Sequence, residues 1–154
     1  MKRINEYKKL FNIDSEIDLK QLKTTYRNLI KEVHPDKFQD ENEKAEAEIK
    51  SIKIIDGYHF LISIAPETKE ANMEKYLSTT NDSGISGLKH KGQLLEISFR
   101  DGSTYEYFGV SSNVFSKLLN ADNQYRFCKR NIFNAFLYRK SKKDVEEEKS
   151  IITQ

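Results

Sequence analysis

Cysteine, tryptophan and proline are scarce in this chain, and the shortages exclude several classes of protein. The 154 residues include one Cys, no Trp and two Pro. Because Cys128 is alone, neither an intrachain disulfide nor a Cys-x-x-Cys metal site can form. No apolar run approaches the roughly 20 residues that a membrane-spanning helix needs, and residues 1–6 are charged rather than apolar like a secretory signal. We therefore expect a cytoplasmic protein with no membrane partner.

Charge is nearly balanced over the whole chain but not along it. The formal net charge is +2, with 37% hydrophobic and 32% charged residues, which is polar for one large core and suits two small domains. Nine Phe and eight Tyr provide enough apolar surface for real cores, so global disorder is not expected. Residues 113–143 contain eight Lys/Arg and one acid, Asp122. Such a basic stretch attracts polyanions or an acidic protein face.

The first half of the chain has the apolar spacing of helices. Recurrences at three and four residues predict helices over about 3–11, 18–33 and 41–64. Asp18 is placed to cap the second helix at the amide of Gln21, with Ile17 and Leu22 at the two positions of a hydrophobic staple. Pro35 should end that helix, because the residue before a proline avoids helical geometry. The buried side of the third helix is expected to consist of Ala45, Ile49, Ile52, Tyr58, Leu61 and Ile62.

After a polar stretch at 78–87 the periodicity changes from that of helices to that of strands. Leu95, Ile97 and Phe99 alternate with polar residues, as in a half-buried strand, and Asp101 with Gly102 forms a hairpin signal. Residues 84–90 could add an edge strand, and helices are expected at about 114–119 and 122–139. The predicted fold class is α+β. Its expected parts are a helical hairpin domain at 1–77, a linker at 78–87, a β-meander with helices at 88–140 and a disordered charged tail at 141–154.

His34, Pro35 and Asp36 follow the second predicted helix directly. In an arbitrary protein this tripeptide is usually only a turn, but here it lies in the loop between two predicted antiparallel helices. Over about residues 4–77 the chain resembles the J-domain (DnaJ-type) co-chaperones. The residues that carry the resemblance are Tyr7, Leu10, the run 22–30, the tripeptide 34–36, Asp56, Gly57, Tyr58 and Leu61. The resemblance implies that His34, Pro35 and Asp36 meet a DnaK-type chaperone and promote its ATP hydrolysis.

A row of basic residues accompanies the tripeptide. Lys20, Lys23, Arg27 and Lys31 lie at spacings of three and four, so they share one face of the second helix, opposite its apolar stripe. A basic row is often only a solvated face. The J-domain resemblance implies that this face meets an acidic surface of the chaperone. Tyr26 either packs inward or edges the contact face.

The second half, from about residue 86 to 140, resembles the KTSC domain, a module also found at the end of some lysyl-tRNA synthetases. The resemblance rests on the run 95–99, the return strand 102–107, Gly109, Val110, Ala121 and Asp122. That company suggests RNA as a ligand, with aromatic rings stacking on bases and basic side chains tracking phosphates. The candidate nucleic-acid-binding residues are Tyr105, Tyr107, Lys117, Arg126, Lys129, Arg130, Arg139 and Lys140. Alternatively, both tyrosines belong to the core, with their hydroxyl groups at its rim.

Catalysis is not expected. His34 and Asp36 alone could suggest acid–base chemistry or a metal site, but the sequence places no nucleophile or third ligand beside them. We therefore expect no enzymatic activity, no metal and no cofactor. Two functions remain open. One is a co-chaperone for a DnaK-type ATPase whose second module recruits a target, either RNA or an acidic protein. The other is an RNA-binding protein with a non-functional J-like hairpin.

Overall fold

The computed structural model describes residues 2–141 and divides into two compact units. The first unit is Lys2–Glu70 and the second begins at Ala71. Helices make up the first unit, while the second contains a four-stranded antiparallel sheet with further helices. The α+β prediction is confirmed. The predicted disorder of the tail at 141–154 lies outside the described residues, apart from Ser141, which is buried.

Three helices form the body of the first unit and agree with prediction. They are α1 (Lys2–Leu10), α2 (Leu19–Val33) and α3 (Glu41–Ile64), with a one-turn 3-10 helix at Pro35–Lys37 between α2 and α3 and a short α4 (Pro66–Ala71) after them. The Ser51 hydroxyl donates to the Val33 carbonyl, and Tyr58 stacks on Tyr26. The later residue of α2 thus contacts the earlier residue of α3, and the earlier residue of α2 contacts the later one. The two helices are therefore antiparallel.

Local signals explain where these helices begin. Asp18 caps α2 by accepting a hydrogen bond from the Lys20 amide at 3.0 Å, one residue earlier than the predicted contact with Gln21. Ile17 and Leu22 are both buried, as a hydrophobic staple requires. Asp40 caps α3 by accepting from the Glu43 amide at 3.3 Å. The hairpin is therefore defined at both of its helix N-termini.

The predicted buried side of α3 is wrong in part. Ile49 is 69% exposed and Ile52 is 60% exposed, whereas Ile54 and Phe60 are buried. The reason is that α3 carries isoleucines around most of its circumference, so that spacing alone does not choose a face. Contact with α1 and α2 makes the choice. At Gly57 the neighbouring helix α1 comes so close that an added Cβ would lie 2.8 Å from the Tyr7 ring.

The second unit is a β-meander with helices on one face. Its elements are α5 (Met73–Asp82), β1 (Ile85–Lys91), β2 (Leu94–Phe99), β3 (Thr104–Phe108), α6 (Ser112–Leu119), α7 (Gln124–Asn131) and β4 (Leu137–Lys140). The strands lie in sequence order, and each pairs antiparallel with the next. The predicted edge strand at 84–90 is present as β1, and Gly102 occupies the hairpin turn with a φ of +91°.

The predicted linker at 78–87 is wrong, because α5 and β1 occupy most of it. Thr79 and Thr80 are buried and their hydroxyl groups are satisfied. Thr79 donates to the Asp101 carboxylate at 2.7 Å, and Thr80 donates to the Tyr76 carbonyl at 3.0 Å. The small polar residues therefore serve helix packing here. Helix α5, whose residues the prediction divided between the domain at 1–77 and the linker, belongs to the second unit.

The predicted helix at 122–139 is also wrong in its second half. Helix α7 ends at Asn131, and the amides of Ile132 and Phe133 both donate to the Cys128 carbonyl as the chain turns. Residues 137–140 then form β4, which pairs with β3 so that Tyr138 lies opposite Tyr107. A four-residue strand has no recognisable local pattern, and its partner lies about 30 residues earlier in the chain.

Aromatic side chains dominate the core of the second unit. Alternate residues of β2 and β3 face the helices, as the two-residue periodicity predicted. Tyr138 stacks on Tyr76 with ring centroids 3.8 Å apart. The buried core residues are Tyr76, Leu95, Ile97, Phe99, Tyr105, Tyr107, Val110, Leu118, Cys128, Ile132, Phe133 and Tyr138.

Candidate functional site

The loop after α2 turns sharply at the predicted tripeptide. Helix α2 ends at Val33, and His34 is extended, with φ −60° and ψ 129°, as expected for a residue before proline. One 3-10 turn follows, closed by hydrogen bonds from the Lys37 amide to the His34 carbonyl at 3.0 Å and from the Phe38 amide to the Pro35 carbonyl at 3.1 Å. The tripeptide is therefore a compact bend and does not continue α2.

Both polar side chains of this bend are accessible. The His34 side chain is 51% exposed and the Asp36 side chain is 88% exposed. The His34 ring folds back, so that its Nδ1 accepts a hydrogen bond from the Asp36 amide at 3.2 Å. The same nitrogen lies 3.5 Å from a carboxylate oxygen of Asp36. The bend thus offers an imidazole edge and a carboxylate to a partner molecule.

The predicted basic row lies along α2 as expected. Lys20, Lys23, Arg27 and Lys31 are all exposed. None of the salt bridges identified among residues 2–141 involves these four side chains. Their charges are therefore directed to solvent, beside the bend in which α2 ends.

Tyr26 lies at the α2–α3 interface. Its ring stacks on that of Tyr58, with centroids 4.0 Å apart and planes only 9° from parallel. Tyr26 is half-buried, so packing between the helices is its main role and only its outer edge can reach a partner. The alternative left open by the sequence is thus decided largely in favour of packing.

A second basic surface lies on α6 and α7. Arg126, Lys129 and Arg130 share one face of α7 through spacings of three and four, and all three are exposed, as is Lys117 on α6. The Lys129 ammonium lies 6.0 Å from the centre of the Tyr125 ring. Four of the eight predicted nucleic-acid-binding residues are therefore on the surface of two helices that contact each other.

The two predicted base-stacking tyrosines are not on the surface. Tyr105 is 3% exposed and Tyr107 is completely buried, so the core alternative is correct and the stacking hypothesis is wrong. The Tyr76 hydroxyl donates to the Phe133 carbonyl at 2.8 Å. It therefore accepts from the Tyr107 hydroxyl, which lies 2.9 Å away. These rings are oriented inward because the helices cover that face of the sheet.

Burial also controls the acid–base properties of this core. It raises the pKa of Tyr107 and Tyr76 far above the ordinary value for tyrosine, and it raises the pKa of Tyr138 to about 12. Burial likewise raises the pKa of the Cys128 thiol to about 12. A thiol that stays protonated is a poor nucleophile, so Cys128 is a packing residue.

Arg139 and Lys140 are placed differently from the other predicted basic residues. Arg139 is 8% exposed, and its Nε lies 2.6 Å from a carboxylate oxygen of Glu106 on the neighbouring strand. Lys140 is half-buried and lies close enough to Asp101 to lower the pKa of that carboxyl. The prediction of Arg139 as a phosphate contact is wrong, because this side chain belongs to a buried ion pair.

Comparison with known protein families identifies both halves of the chain. A DnaJ domain matches residues 6–67 and a KTSC domain matches residues 83–136. The chain contains a DnaJ domain followed by a KTSC domain. Both predicted resemblances are confirmed. No curated protein sequence matches the chain.

The DnaJ domain supports a co-chaperone role in general, and J-domains generally partner with DnaK-type chaperones. The matched region contains the bend at 34–36 and the basic row of α2. Within the part of the chain described by the structure, no helix is long and apolar enough to cross a membrane. The same residues contain no group of three or more His, Cys, Asp or Glu side chains arranged to hold a metal ion.

Two structural features around the KTSC domain were missed by the sequence reasoning. They are α5 and β4. The KTSC match covers residues 83–136 and includes neither element, but α5 contributes Tyr76 to the core and β4 completes the sheet. The pair Glu106–Arg139 was missed too, because Arg139 was assigned to a helix. A cross-strand register between β3 and β4 would have been needed to find it.

Proposed function

We propose that this chain is a non-enzymatic, cytoplasmic co-chaperone whose DnaJ domain stimulates ATP hydrolysis by a DnaK-type chaperone, while its KTSC domain recruits a target. The observation that carries the proposal is the exposed bend at 34–36, which presents His34 and Asp36 to solvent at the end of a basic helix. Isolated exposed tripeptides are common, but this one stands within a matched DnaJ domain.

The chemistry of the bend suits recognition by a partner. The Asp36 carboxylate, 88% exposed, offers two oxygen atoms that fit the fork of an arginine on the chaperone. Pro35 fixes its own φ and has no amide donor, so the bend has a defined shape before it binds. The preorganised bend thus loses little conformational entropy on association.

The basic row of α2 adds electrostatic attraction. Lys20, Lys23, Arg27 and Lys31 are exposed along one face, and an acidic partner surface would be steered toward it. Attraction of this kind mainly raises the association rate and fixes orientation. We therefore expect the row to set how fast the chaperone binds, while the bend sets whether ATP hydrolysis is stimulated.

The test is single-turnover ATP hydrolysis by a DnaK-type chaperone with and without the full chain. His34→Gln and Asp36→Asn should each abolish the stimulation and leave the circular dichroism spectrum unchanged, because both side chains are exposed. His59→Gln and Asp14→Asn are matched controls, since His59 and Asp14 are exposed residues of the same unit away from the bend. The controls should stimulate like the unmodified chain. Loss of stimulation in the controls, or its survival in both bend variants, would contradict the proposal.

A second candidate function is RNA binding by the KTSC domain, with a non-functional DnaJ domain. It is favoured by the exposed basic face of α7, formed by Arg126, Lys129 and Arg130, together with the exposed Lys117 of α6. These residues lie in a segment containing one acid, Asp122. Since the tyrosines are buried, this face could contact phosphates but offers no stacking through Tyr105 and Tyr107. Binding would thus depend on charge and weaken steeply with salt.

RNA binding is tested by titrating single-stranded RNA into the full chain at several salt concentrations. The double variant Lys129→Ala with Arg130→Ala should weaken binding at least tenfold at low salt. A matched control removes two exposed lysines from β1, Lys89→Ala with Lys91→Ala, and should weaken it much less. Equal losses would indicate nonspecific attraction. RNA binding without any stimulation of a chaperone would favour this second function over the first.

A further inference from the structure

The bend at 34–36 contains a hydrogen bond that determines the tautomer of His34. The Asp36 amide donates to His34 Nδ1 at 3.2 Å. A ring nitrogen that accepts a hydrogen bond carries no proton, so the neutral imidazole must hold its proton on Nε2. His34 thus acts as the N-cap of the turn Pro35–Lys37. Pro35 has no amide hydrogen, which leaves the Asp36 amide as the first donor of that turn.

The two contacts of His34 Nδ1 exclude each other. When Nδ1 accepts from the Asp36 amide, it cannot donate to the Asp36 carboxylate oxygen that lies 3.5 Å away. If Nδ1 carried the proton, it would instead hold that carboxylate and use one of the oxygen atoms that a partner arginine needs. The tautomer therefore decides whether the Asp36 carboxylate is free.

We propose that His34 is a positioning residue: its unprotonated Nδ1 caps the 3-10 turn and so fixes the backbone of Asp36 with the carboxylate directed to the partner. The chaperone part of this inference rests on the proposed function, whereas the cap itself does not. We therefore expect the Nδ1 cap to matter more for stimulation than the Nε2–H of the same ring.

Two substitutions separate the nitrogens of the ring. In His34→Asn the side-chain oxygen lies about as far from the backbone as Nδ1 did, and Asn is among the strongest N-cap residues. In His34→Gln the amide reaches toward the former position of Nε2, and Gln is a poor cap. His34→Asn should therefore retain clear stimulation, whereas His34→Gln retains none. Equal stimulation by the two variants, or more by His34→Gln, would overturn the inference.

The cap is also tested without any chaperone. The imidazole nitrogen-15 shifts of the full chain should show the proton on Nε2. Hydrogen exchange of the Asp36 amide should be about fivefold faster in His34→Gln, which corresponds to the loss of a typical N-cap, and close to the original rate in His34→Asn. A proton on Nδ1, or exchange rates that ignore both substitutions, would overturn the positioning role.

The two measurements distinguish two kinds of failure. If the unmodified chain stimulates no DnaK-type chaperone, the proposed function fails, and the nitrogen-15 and exchange data still decide whether His34 caps the turn. If the unmodified chain stimulates but His34→Asn does not exceed His34→Gln, the positioning role fails while the proposed function stands.

Discussion

In the DnaJ domain the polar groups of interest are at the surface of a helical hairpin, whereas in the KTSC region the most distinctive polar groups are inside. His34 and Asp36 are exposed in a bend between two helices. Tyr76 and Tyr107 are buried and hydrogen-bonded to each other. A loop on a rigid hairpin can therefore act on a partner directly, while the tyrosines of the sheet first serve the stability of their own unit.

The difference shows which residue types are ambiguous in a sequence. A proline-constrained bend can hardly be buried, because its unpaired backbone groups need water or a partner. An alternating tyrosine pair in a strand is equally compatible with a ligand-stacking face and with a core face. Here helices α5 and α7 cover that face, so the tyrosines are structural, and the predicted nucleic-acid-binding residues that are exposed lie on α6 and α7.

The strongest test of the structural role of the buried tyrosines is to truncate one of them. Tyr107→Ala should destabilise the second unit by about 3–5 kcal/mol, the usual cost of removing a large aromatic side chain from a core, and should leave Tyr76 without the hydroxyl that donates to it. Denaturant unfolding monitored by circular dichroism measures the loss. Leu119→Ala, at a site 50% exposed, is the control and should change the free energy of unfolding by less than about 0.5 kcal/mol. A stable Tyr107→Ala protein with altered RNA binding would reverse the assignment.

Two isoleucines on opposite sides of α3 sharpen the description of the first unit. Ile54→Ala should cost about 2–5 kcal/mol because Ile54 is 3% exposed, and Ile52→Ala should cost less than about 0.5 kcal/mol because Ile52 is 60% exposed. Both variants have the same change in side chain and in helix propensity, so each is the control for the other. Thermal unfolding of the two variants and of the unmodified chain measures both losses of stability. Similar losses would place Ile52 in a contact that the structure of the single chain does not contain.

Alkaline pH should lower the stability of the second unit, because that unit contains buried tyrosines. Burial raises the pKa of Tyr76 and Tyr107, so the folded second unit requires both phenols to be neutral. Their contribution is fully present below the pKa of an unfolded tyrosine, about 10, and is lost as pH rises above it. For each phenol that stays protonated in the folded state while it ionises in the unfolded state, the free energy of unfolding falls by about 1.4 kcal/mol per pH unit in that range. Unfolding followed between pH 9 and 12 should show this loss, and Tyr107→Phe should make it shallower. A slope unchanged by Tyr107→Phe would show that this phenol does not cause the loss.

How much could be predicted from the sequence follows from the range of the interactions involved. Helices α1, α2 and α3 were predictable because their apolar spacing, and for α2 the cap at Asp18, act over a few residues. The bend was predictable because Pro35 restricts His34 directly. The confirmed hairpin of β2 and β3 likewise depends on local alternation and on Gly102. These features need no knowledge of the rest of the fold.

The errors involve contacts between distant residues. Helix α5 is rich in Thr, Ser and Asn, and it is stabilised by tertiary contacts such as Thr79 with Asp101 rather than by local propensity. Strand β4 forms only because β3 offers an edge. The orientation of Ile52 and of Tyr107 depends on which helices cover each face. For the candidate sites, the chain revealed the residues of the bend, but not the hydrogen bond that fixes the tautomer of His34.

The smallest expected effect concerns the link between α5 and the β2–β3 turn. The Asp101 carboxylate accepts hydrogen bonds from Thr79 at 2.7 Å and from the Ser103 amide at 2.9 Å. Burial opposes its charge, but these hydrogen bonds and the nearby Lys140 outweigh burial and hold the pKa of Asp101 below its ordinary value. Its contribution is therefore present above the pKa of an unfolded aspartate and is lost as pH falls below about 4.

Asp101→Asn should destabilise the second unit at neutral pH by about 1 kcal/mol or less, because the amide keeps some of the hydrogen bonds and the site is partly in solvent. The difference between Asp101→Asn and the unmodified chain should shrink between pH 5 and pH 2, as the native carboxylate becomes protonated. Asp122→Asn, at an exposed position of the same unit, should show no such convergence. Denaturant titrations at three pH values measure the free energy of unfolding of these proteins, and a difference that grows in acid would contradict the role assigned to Asp101.

If the difference shrinks as expected, α5 is joined to the sheet by a charged turn as well as by the tyrosine core. The structural boundary of the second unit then lies before α5, upstream of the residue at which the KTSC match begins.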